Sequence, residues 1–381
     1  MEIFSEKDFI NNIFENLSGA DKKLGHANII IAGKTGVGKS TLINSVFNEK
    51  IAEVGIGRPV TNHIKEYNNS NMPITLYDTV GLELSAERLA AAQKEMLDLI
   101  MEKQKKDDPN KIINCIWYCV NATSNRFEQA EADFIEKISR EANIPVIIVL
   151  TQSFNEKQSK KLAAEIENLN LNATVIRVLA EEYELTDDIK IAPFGLDLLV
   201  EYVYEILPEN SRKAFVAAQK VSIKLKRRTA HAIVAGTAAT SFATGFLPIP
   251  FSDAIALIPT QVAMISGITA AYKIELEKGV MTSIFSCLVG ITGVTIGGRA
   301  LSAELLKLIP GVGGTINGAT AAILTIALGE TYIFIIEAIA KGEILQEKIG
   351  SEEFKTEIKK VFENNLKAIG KSPLDWIKKN K

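Results

Sequence analysis

The chain is poor in cysteine, has no excess of either charge, and over a long stretch has almost no charge at all. Three cysteines, Cys115, Cys119 and Cys287, stand in 381 residues, with three histidines. No Cys/His cluster with zinc-ligand spacing accompanies them, and the chain reads as one from a reducing compartment. Cys115 and Cys119 fall in the apolar run Ile112–Val120, on one face of an expected buried strand, where they read as small core residues. Basic and acidic residues nearly balance, 43 against 46, and 47% of the chain is hydrophobic. That composition excludes a disordered chain and a basic protein that coats nucleic acid, and no nucleic-acid partner is expected. Residues Met1 to Asp8 are charged from the start and carry no apolar signal segment, so the expected location is cytoplasmic.

Charge is scarcest between Thr229 and Ala340. Those 112 residues hold ten charged side chains, whereas the other 269 hold 79. The near-neutral average therefore describes two unlike halves, and the length suits two domains.

The first half carries a phosphate-binding pattern. The β-branched run Ala27–Ala32 is followed by Gly33, Lys34, Thr35, Gly36, Val37, Gly38, Lys39 and Ser40, and then by the helical stretch Thr41–Phe47. Strand, glycine loop and helix is the setting a P-loop requires. Gly36 and Gly38 let backbone N–H groups turn inward around phosphates, and the new helix adds its positive end. Lys39 is placed to reach the β- and γ-phosphates and Ser40 to hold Mg2+. A second strand, Ile74–Tyr77, ends in Asp78-x-x-Gly81. Asp78 there can hold magnesium through water, and the Gly81 N–H can meet the γ-phosphate. Between the two motifs, Thr61 lies in a loop running into a strand. It is a candidate magnesium ligand when the γ-phosphate is present, which would make the loop an order–disorder switch.

These motifs resemble the Ras-like GTPases, and within them the Era-like branch, over about Asn28 to Leu207. Further strands at Lys111–Asn121, Ile144–Leu150 and Ala173–Ala180, with a closing helix from Phe194, fit that resemblance. It implies an α/β P-loop GTPase domain with a mostly parallel sheet and helices on both faces, binding GTP or GDP with Mg2+. It also implies a guanine-reading Asn/Thr-Lys-x-Asp after the fifth strand. Here Thr151 is kept, Gln152 stands for the lysine and Phe154 for the aspartate, which weakens strict selectivity for GTP. Phe154 is open to stacking on the base or to burial. The backbone at Leu179 and Ala180 is expected to meet the guanine oxygen. Leu82 occupies the place of the glutamine that orients attacking water, so slow intrinsic hydrolysis is expected, stimulated by a partner or by homodimerisation across the nucleotide face. Arg58 is a candidate charge stabiliser or a solvated loop arginine.

The second half is expected to be all-α. A basic cluster from Arg212 to Arg228 precedes four uncharged stretches, 229–252, 254–272, 279–298 and 308–329, each near the length of a membrane-crossing helix. Thirteen of the 25 glycines lie in the low-charge block, and Pro248, Pro250, Pro259 and Pro310 break it into pieces. A compact bundle and a bilayer-entering set of hairpins both satisfy this composition. Leu247–Asp253 and Leu308–Gly314 read as matching turns of an internal duplication, with Asp253 as a helix N-cap. The block resembles a helical domain of unknown function found behind Era-like GTP-binding domains in bacteria, often membrane-associated. At the N-terminus Phe9, Ile10, Ile13, Phe14 and Leu17 form an apolar helical stripe, open to packing or to membrane contact. Phe354, Ile358, Val361, Phe362 and Leu366 form another. The expected division is 1–26, an amphipathic helix; 27–208, the GTPase domain; 209–345, the low-charge helical domain; and 346–381, a charged amphipathic helix. The function expected is a GTP switch acting on a membrane- or partner-contacting helical domain. The alternatives are a membrane-remodelling or pore-like protein and a non-hydrolysing scaffold.

Overall fold

The computed structural model describes residues 6–47, 58–61, 64–68, 72–79, 86–105, 108–124, 126–244, 258–274, 276–292, 318–370 and 372–380. Contacts divide it into two units, Leu24–Ser222 and a second built from Met1–Lys23 with Ile223–Lys381.

The first unit is an α/β layer structure. Its strands are β1 (Ala27–Ala32), β2 (Arg58–Pro59), β3 (Ile64–Asn68), β4 (Ile74–Thr79), β5 (Cys115–Asn121), β6 (Val146–Thr151) and β7 (Ala173–Arg177). They form one sheet in the order β2-β3-β4-β1-β5-β6-β7. β4-β1-β5-β6-β7 are parallel, and β2 and β3 run antiparallel at one edge. β1 and β6 are buried along their whole length, which is why both read as unbroken apolar runs rather than alternating ones.

Helices cover both faces of this sheet. On one lie α3 (Ala86–Gln104), α4 (Gln129–Ala142) and α5 (Glu156–Glu167), packed on Ile30, Tyr118 and Leu150. The opposite face takes α2 (Lys39–Val46), α6 (Leu196–Ile206) and α7 (Glu209–Ala218). There Phe47 stacks on Trp117 at 6.0 Å and meets Phe215 edge-on at 6.3 Å. A separate hairpin, β8 (Tyr183–Thr186) with β9 (Ile189–Ile191), stands outside the main sheet.

Residues 209–222 thus pack with the α/β unit and not with the low-charge helices expected from the sequence. Ala214–Ala218 are fully buried. Arg212, which the sequence offers as part of a membrane-flanking basic cluster, donates to the Leu207 and Glu205 carbonyls at 2.9 and 3.0 Å. It caps the C-terminal end of α6, where a cation is favoured.

The second unit is helical. It holds α1 (Glu6–Lys22), α8 (Ile223–Thr244), α9 (Ile258–Tyr272), α10 (Lys278–Thr292), α11 (Gly318–Ala340), α12 (Glu352–Ile369) and α13 (Pro373–Asn380). The expected N-terminal helix forms, and it belongs here: Ile10 and Ile13 are buried in the helical core, and Phe14 meets Phe285 edge-on at 6.0 Å. The C-terminal segment is two helices. Ser351 accepts the Phe354 N–H at 3.1 Å to start α12, and Pro373 opens α13. Phe354, Ile358, Phe362 and Leu366 are buried, while Val361 is half-buried at the edge of that stripe.

Among the described residues one helix, α11, is long and apolar enough to cross a membrane, and 83% of its most apolar window is buried inside the protein. Its Glu337 carries a polar cluster into that core. Arg227 Nε donates to Glu337 Oε1 at 2.7 Å and its Nη2 to the other oxygen. Tyr272 OH donates to Oε1 at 2.6 Å, and buried Lys226 donates to the Tyr272 carbonyl at 2.6 Å. Burial holds the Lys226 ammonium down to about 7. The turns at Leu247–Asp253 and Leu308–Gly314, and the Asp253 cap, lie outside the described residues.

Candidate functional site

β1 ends at Ala32, and the chain turns over its C-terminal end through Gly33–Gly38 into α2. Gly33 has φ 143°, and a Cβ there would sit 2.4 Å from the Cys119 carbonyl oxygen, so the loop can hug β5 only through glycine. At Gly36, φ is 73° and a Cβ would meet nothing within 4 Å among the described residues, which leave the centre of the loop open. Gly38 is the left-handed N-cap of α2, whose first turn has no side-chain cap and no acidic residue. An uncapped helix start beside inward-turned amides suits an anion.

Lys39 Nζ donates to the Gly33 and Lys34 carbonyls at 2.8 and 2.9 Å, folding back along the loop. The Lys34 side chain is directed elsewhere, to Glu128 at 3.1 Å, so its part in the loop is its backbone. Thr35, Ser40 and Thr41 are exposed or half-exposed, and Val37 is buried.

Register brings the second motif to the same end of the sheet. Ile31 pairs with Asp78, and Thr79 pairs with Ile64, so the turn holding Thr61 also lies at that end. In that turn the Val60 and Thr61 N–H groups approach the Ile64 carbonyl, at 2.9 and 3.3 Å. Burial pushes the Asp78 carboxyl up from the ordinary range, opposed by the charges of Lys39 and Lys65. Its Oδ1 is buried with no hydrogen-bond partner among the described residues. An orphaned buried carboxylate oxygen facing a lysine-bearing loop fits a hydrated divalent cation. Gly81 and Leu82 lie outside the described residues, as does the Arg58 side chain.

The Thr151–Phe154 loop abuts the P-loop. The Thr151 hydroxyl lies 2.5 Å from the Val37 carbonyl and 3.1 Å from that of Val120, so its one proton ties β6 to the loop. Gln152, at φ 52°, donates from Nε2 to the Gly36 carbonyl at 3.5 Å and accepts from Asn121 at 3.4 Å. It thus stands where the sequence expects a lysine and touches the P-loop. Ser153 N–H bonds Val178 O at 3.1 Å, joining this loop to the one after β7.

Of the two backbone amides expected at a base, Leu179 N–H is already used. It donates to Phe194 O at 3.0 Å, and the reciprocal bond is also made. That expectation is corrected, and Ala180 remains as the candidate. Phe154 lies flat against Tyr183, ring centroids 3.9 Å apart and planes 2° from parallel.

Two residues escaped the sequence reading. Tyr183 lies 29 positions beyond Phe154 with no motif around it. Lys220 has its backbone N–H on Val46 O at 2.8 Å and its Nζ on Asn44 O at 2.6 Å, gripping the C-terminal end of the P-loop helix. It read only as one of a basic cluster.

A family described as “50S ribosome-binding GTPase” matches residues 28–152. Cell division control protein 10 of Candida albicans is 26% identical over 200 residues, which cover 44% of this chain and 56% of that protein. Human septin-9 is 26% identical over 164 residues, 36% of this chain and 28% of that one. The chain spans about half, or less, of the length of these curated relatives. Among solved structures, the G domain of the Thermotoga maritima FeoB iron transporter aligns over 48% of this chain and 98% of its own, at 16% identity and TM-score 0.31. Toc33 of Arabidopsis thaliana, in complex with Mg2+ and GMPPNP, aligns over 53% and 91%, at 19% identity and TM-score 0.32. The chain carries a P-loop GTPase domain with septin-like relatives, and guanine nucleotide is the ligand that domain implies.

Proposed function

We propose that the chain is a GTP-binding, slowly hydrolysing switch whose nucleotide state controls what the helical unit contacts, a membrane surface or a protein partner. The observation that carries this reading is the link at Lys220. The P-loop helix α2 has its N-terminal end at the phosphate loop and its C-terminal end held by Lys220. Three residues later the chain enters the helical unit at Ile223. A shift of α2 on nucleotide binding is therefore delivered to the linker directly.

In this reading backbone amides of Gly33–Thr41, with Lys39, bind the phosphates. Ser40, Thr61 and Asp78 would hold Mg2+, which when bound neutralises charge on the phosphate oxygens. The Gly81 N–H would meet the γ-phosphate, so that Thr61 and Gly81 report its presence. Ala180 would offer an amide to the base. Leu82 cannot orient water, which makes unaided hydrolysis slow and a partner, or a second copy across the nucleotide face, the accelerator. The Era-like affinity, the resemblance of the helical unit to bacterial membrane-associated domains, and a cytoplasmic location with reversible membrane attachment belong to the same proposal.

Flotation of the full chain with anionic liposomes, in GTP, GDP and no nucleotide, tests it. Nucleotide-dependent flotation is expected. Flotation indifferent to nucleotide favours a structural membrane protein, and its absence in every state favours a soluble scaffold.

A further inference from the structure

The β8–β9 hairpin has no evident part in phosphate binding, and its composition is unusual for a surface element. Leu185 and Ile189 are 55% and 52% exposed, and among the described residues the two strands pair only with each other. A lone two-stranded hairpin is marginal in water. Here Lys190 ties it together, bonding Glu182 at 2.9 Å and Glu184 at 2.8 Å. Its first residue, Tyr183, makes the parallel stack with Phe154 and remains 36% exposed.

The stack lies at a chemically meaningful place. Phe154 follows the C-terminal end of β6 and Tyr183 follows that of β7, strands that adjoin in the sheet. In a sheet of this kind a ligand lies beyond the carboxyl ends of the strands. Thr151 and Gln152 fasten the Phe154 loop to the P-loop, so a phosphate chain held there leads its nucleoside toward these loops. A partly exposed aromatic pair at that spot can take a base, because every base has a π-face and stacking needs no hydrogen-bond code.

We propose that Phe154 and Tyr183 are the base-binding wall of the nucleotide site, and that a purine ring extends their stack. This rests on the P-loop binding the phosphates and adds how the base is held. Stacking treats guanine and adenine alike, so the wall supplies affinity, and the choice between them is left to backbone amides such as Ala180.

The test uses calorimetric titration of the full chain with GTP, ATP and inorganic tripolyphosphate, which has phosphates but no base. The proteins are wild type, Tyr183→Ala, Phe154→Ala and Tyr183→Phe. Each alanine variant is expected to weaken GTP and ATP by the same factor, about five- to a hundredfold, and to leave tripolyphosphate unchanged. Tyr183→Phe is expected to match wild type. Tyr183→Ala, at an exposed hairpin position, carries the test if Phe154→Ala does not fold. Unchanged GTP affinity in Tyr183→Ala overturns the proposal, and so does an equal loss for tripolyphosphate, which marks a merely structural role. Wild type that binds tripolyphosphate as tightly as GTP overturns the wall while sparing the phosphate site. Wild type that binds neither overturns both.

Discussion

Replacing Gly36 by alanine separates folding from nucleotide binding within one loop. A Cβ at Gly36 meets no atom of the described residues within 4 Å, so the cost to them is confined to the left-handed backbone, φ 73°. That cost is about 1–2 kcal/mol. The open space beside Gly36 is where the phosphates are assigned, and a methyl group there displaces a phosphate oxygen from the loop amides. Hydrogen bonds to a charged group contribute about 1.5–3 kcal/mol each, so losing one weakens GTP binding by about ten- to a hundredfold. Gly33→Ala is the contrast. Its Cβ would lie 2.4 Å from the Cys119 carbonyl oxygen, at φ 143°, and the loop must leave β5 to admit it. Gly33→Ala is therefore expected to lose more stability than Gly36→Ala, and to lose binding as a consequence. Thermal unfolding and calorimetric GTP titration of both variants make the comparison. Wild-type affinity in Gly36→Ala, or unfolding as severe as in Gly33→Ala, would refute the placement of the phosphates.

Lys220→Met removes the Nζ bond to the Asn44 carbonyl and leaves the backbone bond to Val46 in place. GTP affinity should stay close to wild type, while hydrogen exchange at the start of α8 should lose its response to GTP; an undiminished response would discount the link. In the helical unit, Arg227→Met leaves the Glu337 carboxylate buried with Tyr272 as its remaining donor. The cost should be about 2 kcal/mol, below the usual range for broken buried pairs because Arg227 is half exposed. Burial works to raise the Glu337 carboxyl, but the Arg227 and Tyr272 donors outweigh it and hold the group below its ordinary value. Its contribution is therefore present above the ordinary glutamate range and lost as pH falls through the lowered folded value. Without Arg227, burial dominates and protonation relieves the carboxylate, so the gap in Tm between wild type and variant should shrink on acidification. A gap constant with pH would contradict this.

The parts legible in the sequence were those whose signal is local. The Gly33–Ser40 loop, the buried runs of β1 and β6, and the stripe of α12 each declare themselves within a dozen residues. What escaped depends on contacts between distant positions. Helix α1 shows an apolar stripe, but nothing in it says that Phe14 will meet Phe285. Residues 209–222 carry basic side chains that suit a membrane flank equally well, and only the folded chain shows Arg212 capping α6 and Lys220 gripping α2. Hairpin β8–β9 is acidic and exposed, and its apolar alternation runs for only four residues in one strand and three in the other, too short to mark a strand. Its Tyr183 gains meaning only from lying against Phe154, the residue whose departure from the guanine-reading pattern was plain in the sequence.

The central claim, that the Gly33–Thr41 loop is a nucleotide-phosphate site, is tested most directly by GTP and ATP binding to Lys39→Ala. Lys39 Nζ is held 2.8 Å from the Gly33 carbonyl, along the loop it would leave to meet phosphate. The expected result is at least about a tenfold loss of affinity, the value of one charge-assisted contact, with unfolding close to wild type. Binding of either nucleotide as tightly as wild type would contradict the claim.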